Sequence, residues 1–252
     1  MAKNSSSDGK KWRRATRLVR GGTTRSGHGE TSEAIFLTSG YVYDGAAEAE
    51  ARFKGEAPGF VYSRFGNPTV AMFEQRLALL EGAEACKATS TGMAAVFAAL
   101  MAQLRAGDHV VASRALFGSC LYIVGELLPR YGIEVDLVDG ADLAQWQAAI
   151  RDGTTCVFFE TPSNPTLDLI DIKAVAEMAH GVGARVVVDN VFSTPVLQRP
   201  VEFGADVVVY SGTKHMDGQG RILGGAVLSS REFIDDHLMQ FLRHTGPAMS
   251  AF

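Results

Sequence analysis

Cysteine is scarce in this sequence: Cys86, Cys120 and Cys156 are the only three, widely spaced and without a C-x-x-C pair. That excludes a disulfide framework and leaves no zinc-type spacing. Long hydrophobic runs are also missing, the longest being interrupted by Gly, Asp or Arg, so no stretch reads as membrane-spanning. The N-terminus has no apolar core of a secretory signal. Charge of one sign is not in large excess: the net charge is −4, which argues against a nucleic-acid-binding surface. There is no internal repeat, and no G-x-G-x-x-G follows an early strand, which disfavours a dinucleotide-binding domain. A reducing cytoplasm is the expected compartment.

What is present is ordinary for a chain with a sizeable core: 46% hydrophobic and 21% charged residues. A length of 252 residues suits one large α/β domain or two small ones. Residues 1–25 are polar, basic and rich in Ser, Gly and Arg, and read as a disordered or loosely attached part of an N-terminal arm covering 1–60. Residues 61–252 read as the main domain. The sequence finishes on Pro247-Ala248-Met249-Ser250-Ala251-Phe252, small and apolar, as if inside a longer protein.

The stretch 31–43 reads as a short extended segment and 46–54 as a short helix, followed by an aromatic and cationic loop ending in Asn67-Pro68. A helix over 69–81 carries Phe73, Leu77 and Leu80 on one face. From Ala85 the pattern alternates. Strands are predicted at 85–89, 109–113, 134–138, 156–160, 185–189, 207–210 and 226–228, with helices at 92–104, 120–131, 142–150 and 172–180. That alternation implies βαβ crossovers and a mostly parallel seven-stranded sheet covered on both faces. Only a polar Gly-rich loop joins the last two strands, so the last one is expected to run antiparallel.

Ligands of such sheets bind outside the carboxyl ends of the strands, and there the chemistry collects. The run Val207-Val208-Val209-Tyr210 breaks into Ser211-Gly212-Thr213-Lys214-His215, placing a lysine at the mouth of a buried strand. Partial desolvation lowers the pKa of such an amine and makes it a Schiff-base nucleophile, and two hydroxyls beside it suit a phosphate monoester. A solvent-facing lysine in a polar loop is the competing reading. Ser90-Thr91-Gly92-Met93 opens directly into a helix, where free N–H groups can cradle an anion, though the same residues serve as a plain helix cap. Asn164 stands between two prolines in Thr161-Pro162-Ser163-Asn164-Pro165. Asp189 ends a valine run and needs a cationic partner such as a protonated pyridine nitrogen, or else forms a turn. Phe117 either stacks on a planar ring or packs in the core.

Together, Tyr62-Ser63-Arg64-Phe65-Gly66-Asn67-Pro68-Thr69, Ser90-Thr91-Gly92-Met93-Ala94-Ala95, Glu160-Thr161-Pro162-Ser163-Asn164-Pro165, Val188-Asp189-Asn190 and Ser211-Gly212-Thr213-Lys214-His215 resemble the pyridoxal-phosphate enzymes of Cys/Met metabolism. This is the cystathionine γ-synthase-like transsulfuration family, and the likeness runs from about Arg20 onward. It implies the large domain of a fold-type I (aspartate-aminotransferase-like) enzyme. It further implies pyridoxal 5'-phosphate held as a Schiff base on Lys214, the pyridine nitrogen paired with Asp189, and the phosphate held by Gly92, Met93, Ser211 and Thr213. Asn164 would lie by the ring's phenolic oxygen and Phe117 would stack on the ring. Tyr62 and Arg64 would reach the phosphate of a neighbouring subunit, implying a dimer and, by the family, a tetramer. Phe117 departs from the tyrosine of many relatives, losing a hydroxyl but keeping the stacking.

The reaction implied is γ-replacement in methionine biosynthesis, in which O-succinylhomoserine expels succinate and sulfide adds to the γ carbon, giving homocysteine. The family also contains cystathionine γ-synthases, O-acetylhomoserine sulfhydrylases and methionine or cystathionine γ-lyases, which remain open on sequence. So does a reading of another class, a non-catalytic fragment associating with full-length subunits. Relatives continue into a small C-terminal domain carrying the arginine for the substrate carboxylate, and the resemblance assigns that role to no arginine here. Efficient turnover by these 252 residues alone is therefore not expected.

Overall fold

The computed structural model describes residues 12–252. Three helices come first: α1 (Arg14–Arg20), α2 (Ala46–Lys54) and α3 (Pro68–Glu81). Asn67 caps α3 by accepting from the Thr69 N–H at 2.8 Å, and Pro68 occupies the first turn, where no backbone donor is needed. Strands and helices then alternate: β1 (Ala85–Thr89), α4 (Gly92–Met101), β2 (His109–Ser113), α5 (Gly118–Tyr122) and α6 (Leu128–Arg130), β3 (Glu134–Val138), α7 (Leu143–Ala149), β4 (Thr154–Glu160), α8 (Ile172–Gly181), β5 (Arg185–Asp189), α9 (Thr194–Leu197) and β6 (Val207–Ser211). After β7 (Gly225–Ser229) the chain closes with α10 (Arg231–Phe233) and α11 (Met239–Thr245).

The seven strands form one sheet in the order β1-β7-β6-β5-β4-β2-β3. β2, β3, β4, β5 and β6 are parallel, whereas β7 runs antiparallel to both of its neighbours, β1 and β6. The sheet is thus the expected one, and its last strand has the expected direction. β4, β6 and β7 are each slightly longer than expected, because ladder bonds extend past the apolar runs that revealed them.

The alternation of strand side chains divides the core in two. Val110, Ala112, Cys156, Phe158, Val187, Val207 and Val209 pack with α4, α5 and Phe233, Ile234 and Leu238 on one face. Val111, Val157, Phe159, Val186, Val188, Val208 and Tyr210 pack with α7 and α8 on the other. The indole of Trp146 is fully buried there, edge-on to Phe159 and donating to the Gly140 carbonyl at 2.9 Å.

Three expectations need correction. Part of the arm read as disordered is helical: α1 sits on α3, with Arg17 donating to the Leu79 carbonyl at 3.2 Å. Residues 1–11 of that arm lie outside the described residues. The segment 31–43, read as extended, has no regular helix or strand and makes one isolated bridge, between Gly40 and Tyr62. The helix expected to reach Leu104 ends at Met101. The stretch 118–130 is a single helical rod whose centre, Ile123–Leu127, widens into a π-turn, and 231–245 forms a second rod of the same kind that was not foreseen.

Candidate functional site

All the singled-out strand ends open onto one edge of the sheet. α4 begins there with Thr91 as its cap, the Thr91 Oγ1 accepting from Ala94 at 3.0 Å. The N–H groups of Gly92 and Met93 therefore start the helix with no intrahelical acceptor. Gly92 is pressed against the end of β6: a Cβ on it would stand 2.5 Å from the Ser211 Cβ and 2.9 Å from its Cα. Gly225 is equally constrained, since a Cβ there would meet the Thr91 carbonyl oxygen at 2.2 Å. Two glycines thus let a helix N-terminus, with its partial positive charge, close on a strand end that carries a hydroxyl.

Thr213 and Lys214 follow in a tight turn, Gly212–Met216, in which Lys214 leaves helical geometry at φ −92° and ψ −121°. The Thr213 hydroxyl oxygen accepts from the Gly224 N–H at 3.1 Å and lies 3.3 Å from the Gly224 carbonyl, so it braces the turn against the start of β7. Lys214 is exposed, which corrects the expectation of a desolvated amine. Its neighbour His215 is exposed as well and Thr213 is half-buried.

Asp189 is buried at the end of β5. Its Oδ1 accepts the Val191 N–H at 3.1 Å, the turn contact foreseen as its alternative role, and no lysine or arginine among the described residues pairs with it. Burial, with Glu160 alongside, pushes its carboxyl up to about 7. An uncompensated carboxylate of this kind calls for a cation or an N–H donor from a ligand.

Phe117 precedes α5 and is 41% exposed, so it does not pack in the core. Asn164 is half-buried, in a loop whose Thr161-Pro162 and Asn164-Pro165 peptides are both cis. Tyr62 and Arg64 stand apart. Arg64 lies over the rings of Tyr62 and Phe65, at 5.2 and 4.9 Å, and donates to the Arg243 carbonyl of its own chain. Within one chain these two residues do not join the others.

Sequence reasoning overlooked a buried polar layer behind the site. Tyr210 donates to the Glu81 carboxylate at 2.5 Å and accepts from Asn190 at 2.7 Å. Asn190 and Gln198 bond each other at 2.8 Å, and Gln198 also donates to the Thr161 carbonyl at 2.9 Å. Burial drives Glu81 up to about 7 and raises the Tyr210 phenol. Glu160 was quoted within a motif but given no role, although it ends an apolar run as Asp189 does. That shared pattern was the available signal.

These features fit pyridoxal phosphate on the chain's own evidence: an anion cradle that a Cβ would fill, a buried carboxylate lacking a cation, and an amine on the adjoining turn. The comparisons agree. The chain is 61% identical over 238 residues to O-succinylhomoserine sulfhydrylase of Mycobacterium tuberculosis, a match covering 94% of this chain and 59% of that protein. The chain therefore spans about 59% of the length of that relative. The solved structure of metB from Corynebacterium glutamicum superposes with a TM-score of 0.90 at 32% identity, over 97% of this chain and 62% of that one. The metY protein of Campylobacter jejuni superposes at 0.89 and 28% identity, over 95% of this chain and 68% of its own, and its structure contains N'-pyridoxyl-lysine-5'-monophosphate. The pattern of the family described as Cys/Met metabolism PLP-dependent enzyme matches residues 15–252, from α1 through every strand and site loop, and the chain belongs to that family.

Proposed function

We propose that the protein catalyses γ-replacement on O-succinylhomoserine, with sulfide as the incoming group and homocysteine and succinate as products. The observation that carries the cofactor half of this reading is the convergence of the Gly92 cradle, buried Asp189 and Lys214 on one sheet edge. The choice of ester rests on the 61% identity to a protein named O-succinylhomoserine sulfhydrylase.

When bound, the cofactor supplies a conjugated electron sink for carbanions beside the substrate's amino group. The chain's own residues do the rest. The N–H groups of Gly92 and Met93 and the hydroxyl of Ser211 hold the phosphate, with Thr213 bracing the Lys214 turn and adding its oxygen. Asp189 would face the pyridine nitrogen and, as a nearby negative charge, favour its protonated form. Phe117 would stack on the ring, and Asn164 would lie by the phenolic oxygen. Lys214 would anchor the cofactor through its amine, which could also carry protons between the substrate's carbons.

Tyr62 and Arg64 lie on the surface of the chain and are assigned to the phosphate of a neighbouring subunit, which makes the working form at least a dimer and, by our reading, a tetramer. Among the described residues no helix is long and apolar enough to cross a membrane, and a cytoplasmic setting suits the three unpaired, buried cysteines.

The test is a visible absorbance spectrum before and after borohydride, for the wild type and Lys214→Ala, followed by assays of succinyl against acetyl esters and sulfide against cysteine. A yellow band that borohydride bleaches and the variant lacks is expected, with the succinyl ester and sulfide preferred. A wild type that takes up no added pyridoxal phosphate would refute the reading.

A further inference from the structure

We infer that Glu160 is a positioning residue of the cofactor pocket: its carboxylate fixes Phe117 at the start of α5. The inference rests on the reading of the site as a pyridoxal-phosphate pocket. Glu160 is 1% exposed and terminates β4 after four fully buried apolar residues. Such a carboxylate is costly to bury unless donors surround it, and no lysine or arginine among the described residues supplies them.

The donors come from the backbone. Glu160 Oε2 accepts the Phe117 N–H at 2.8 Å, a contact across 43 positions of sequence. The nearby Asn164 N–H adds to it by favouring the ionised form of that carboxylate. Phe117 has little else to hold it: its ring is partly exposed, and it heads α5 with no side-chain cap. That carboxylate therefore ties the loop after β2 to the end of β4. In register, Glu160 lies directly beside Asp189, and the two side chains point to the same face. The second carboxylate thereby deepens the demand for a cationic group at that spot.

The test compares Glu160→Ala and Glu160→Gln with the wild type. In the cofactor-free chain, hydrogen exchange at the Phe117 and Asn164 amides is read. Alanine removes both acceptors and should accelerate exchange at these two sites above any global change, whereas glutamine retains one oxygen and should give an intermediate rate. Pyridoxal-phosphate affinity should fall about tenfold or more in the alanine variant, the equivalent of one charge-assisted hydrogen bond, and less with glutamine. At equal occupancy, the induced ellipticity of the cofactor's visible band should also change, a readout that loss of global stability alone would not move. If the alanine variant fails to fold, the nearly isosteric glutamine variant carries the test. Variants with wild-type amide exchange, affinity and ellipticity would overturn the inference while leaving the pocket's identity standing. A wild type that binds no cofactor would overturn both.

Discussion

Replacing Asp189 with asparagine should make the cofactor-free chain more stable and the cofactor bind less well. The native Asp189 carboxyl titrates at about 7 against an ordinary 3.8, so the folded chain holds this proton more tightly than the unfolded one. A raised carboxyl contributes stability that is fully present below the unfolded pKa and lost as pH climbs through the folded one. At about 1.4 kcal/mol for each pH unit between those two values, the ionised group costs about 4 kcal/mol by pH 8. The asparagine side chain would keep an oxygen for the Val191 N–H but bring an amide group with no partner in place, a cost of about 1–3 kcal/mol. The net expectation at pH 8 is a gain of about 1–3 kcal/mol, or a few degrees in Tm for a chain of this size. At pH 5 the carboxyl is largely protonated in the folded chain, and the advantage should shrink by about 2–3 kcal/mol. Urea melts of the cofactor-free proteins at the two pH values measure both effects. Equilibrium dialysis should show cofactor affinity falling about 10- to 100-fold, the worth of a charge-assisted hydrogen bond. A variant no more stable at pH 8 than the wild type, with no change in pH slope, would refute the argument that this carboxylate is buried without compensation.

Two further outcomes are expected. Glu81, driven by burial to about 7 from 4.5, adds a loss of about 3 kcal/mol as pH rises from about 4.5 to 7, so Glu81→Gln should flatten the stability–pH curve there while keeping the Tyr210 contact; an unchanged slope in denaturant melts would contradict this. Gly92→Ala should force α4 away from β6, costing about 1–3 kcal/mol of stability as overpacking does and more than tenfold in cofactor affinity; fluorescence titration showing wild-type binding would contradict it.

The sheet was legible because its central strands are nearly pure Val, Ala and Phe, and because Gly- and Pro-rich loops punctuate them. The strand ends were legible too: Gly92, Asp189 and Lys214 each interrupt an apolar or small-residue pattern with a group that needs a reason. α1 was hidden by its composition, since arginines at 14, 17 and 20 look like an unstructured basic arm until Leu79 supplies an acceptor. The contact between Phe117 and Glu160, and the layer from Glu81 through Tyr210 to Asn190, are long-range hydrogen bonds, which local pattern does not encode.

The order of strands also sets an order of events at synthesis. β1 stands at the edge of the sheet and its sole neighbour is β7, with Ala85 opposite Ser229. As the polypeptide emerges from the ribosome, β2 through β6 can pair while β1 waits, its ladder unmade, until the last strand arrives. That pairing is the contact of longest sequence separation in the sheet. Gly225, on the late strand, seats the Thr91 turn, so the anion cradle is completed only when the final strand slots between β1 and β6. Uptake of a phosphate ligand would then follow completion of this sheet rather than guide its beginning.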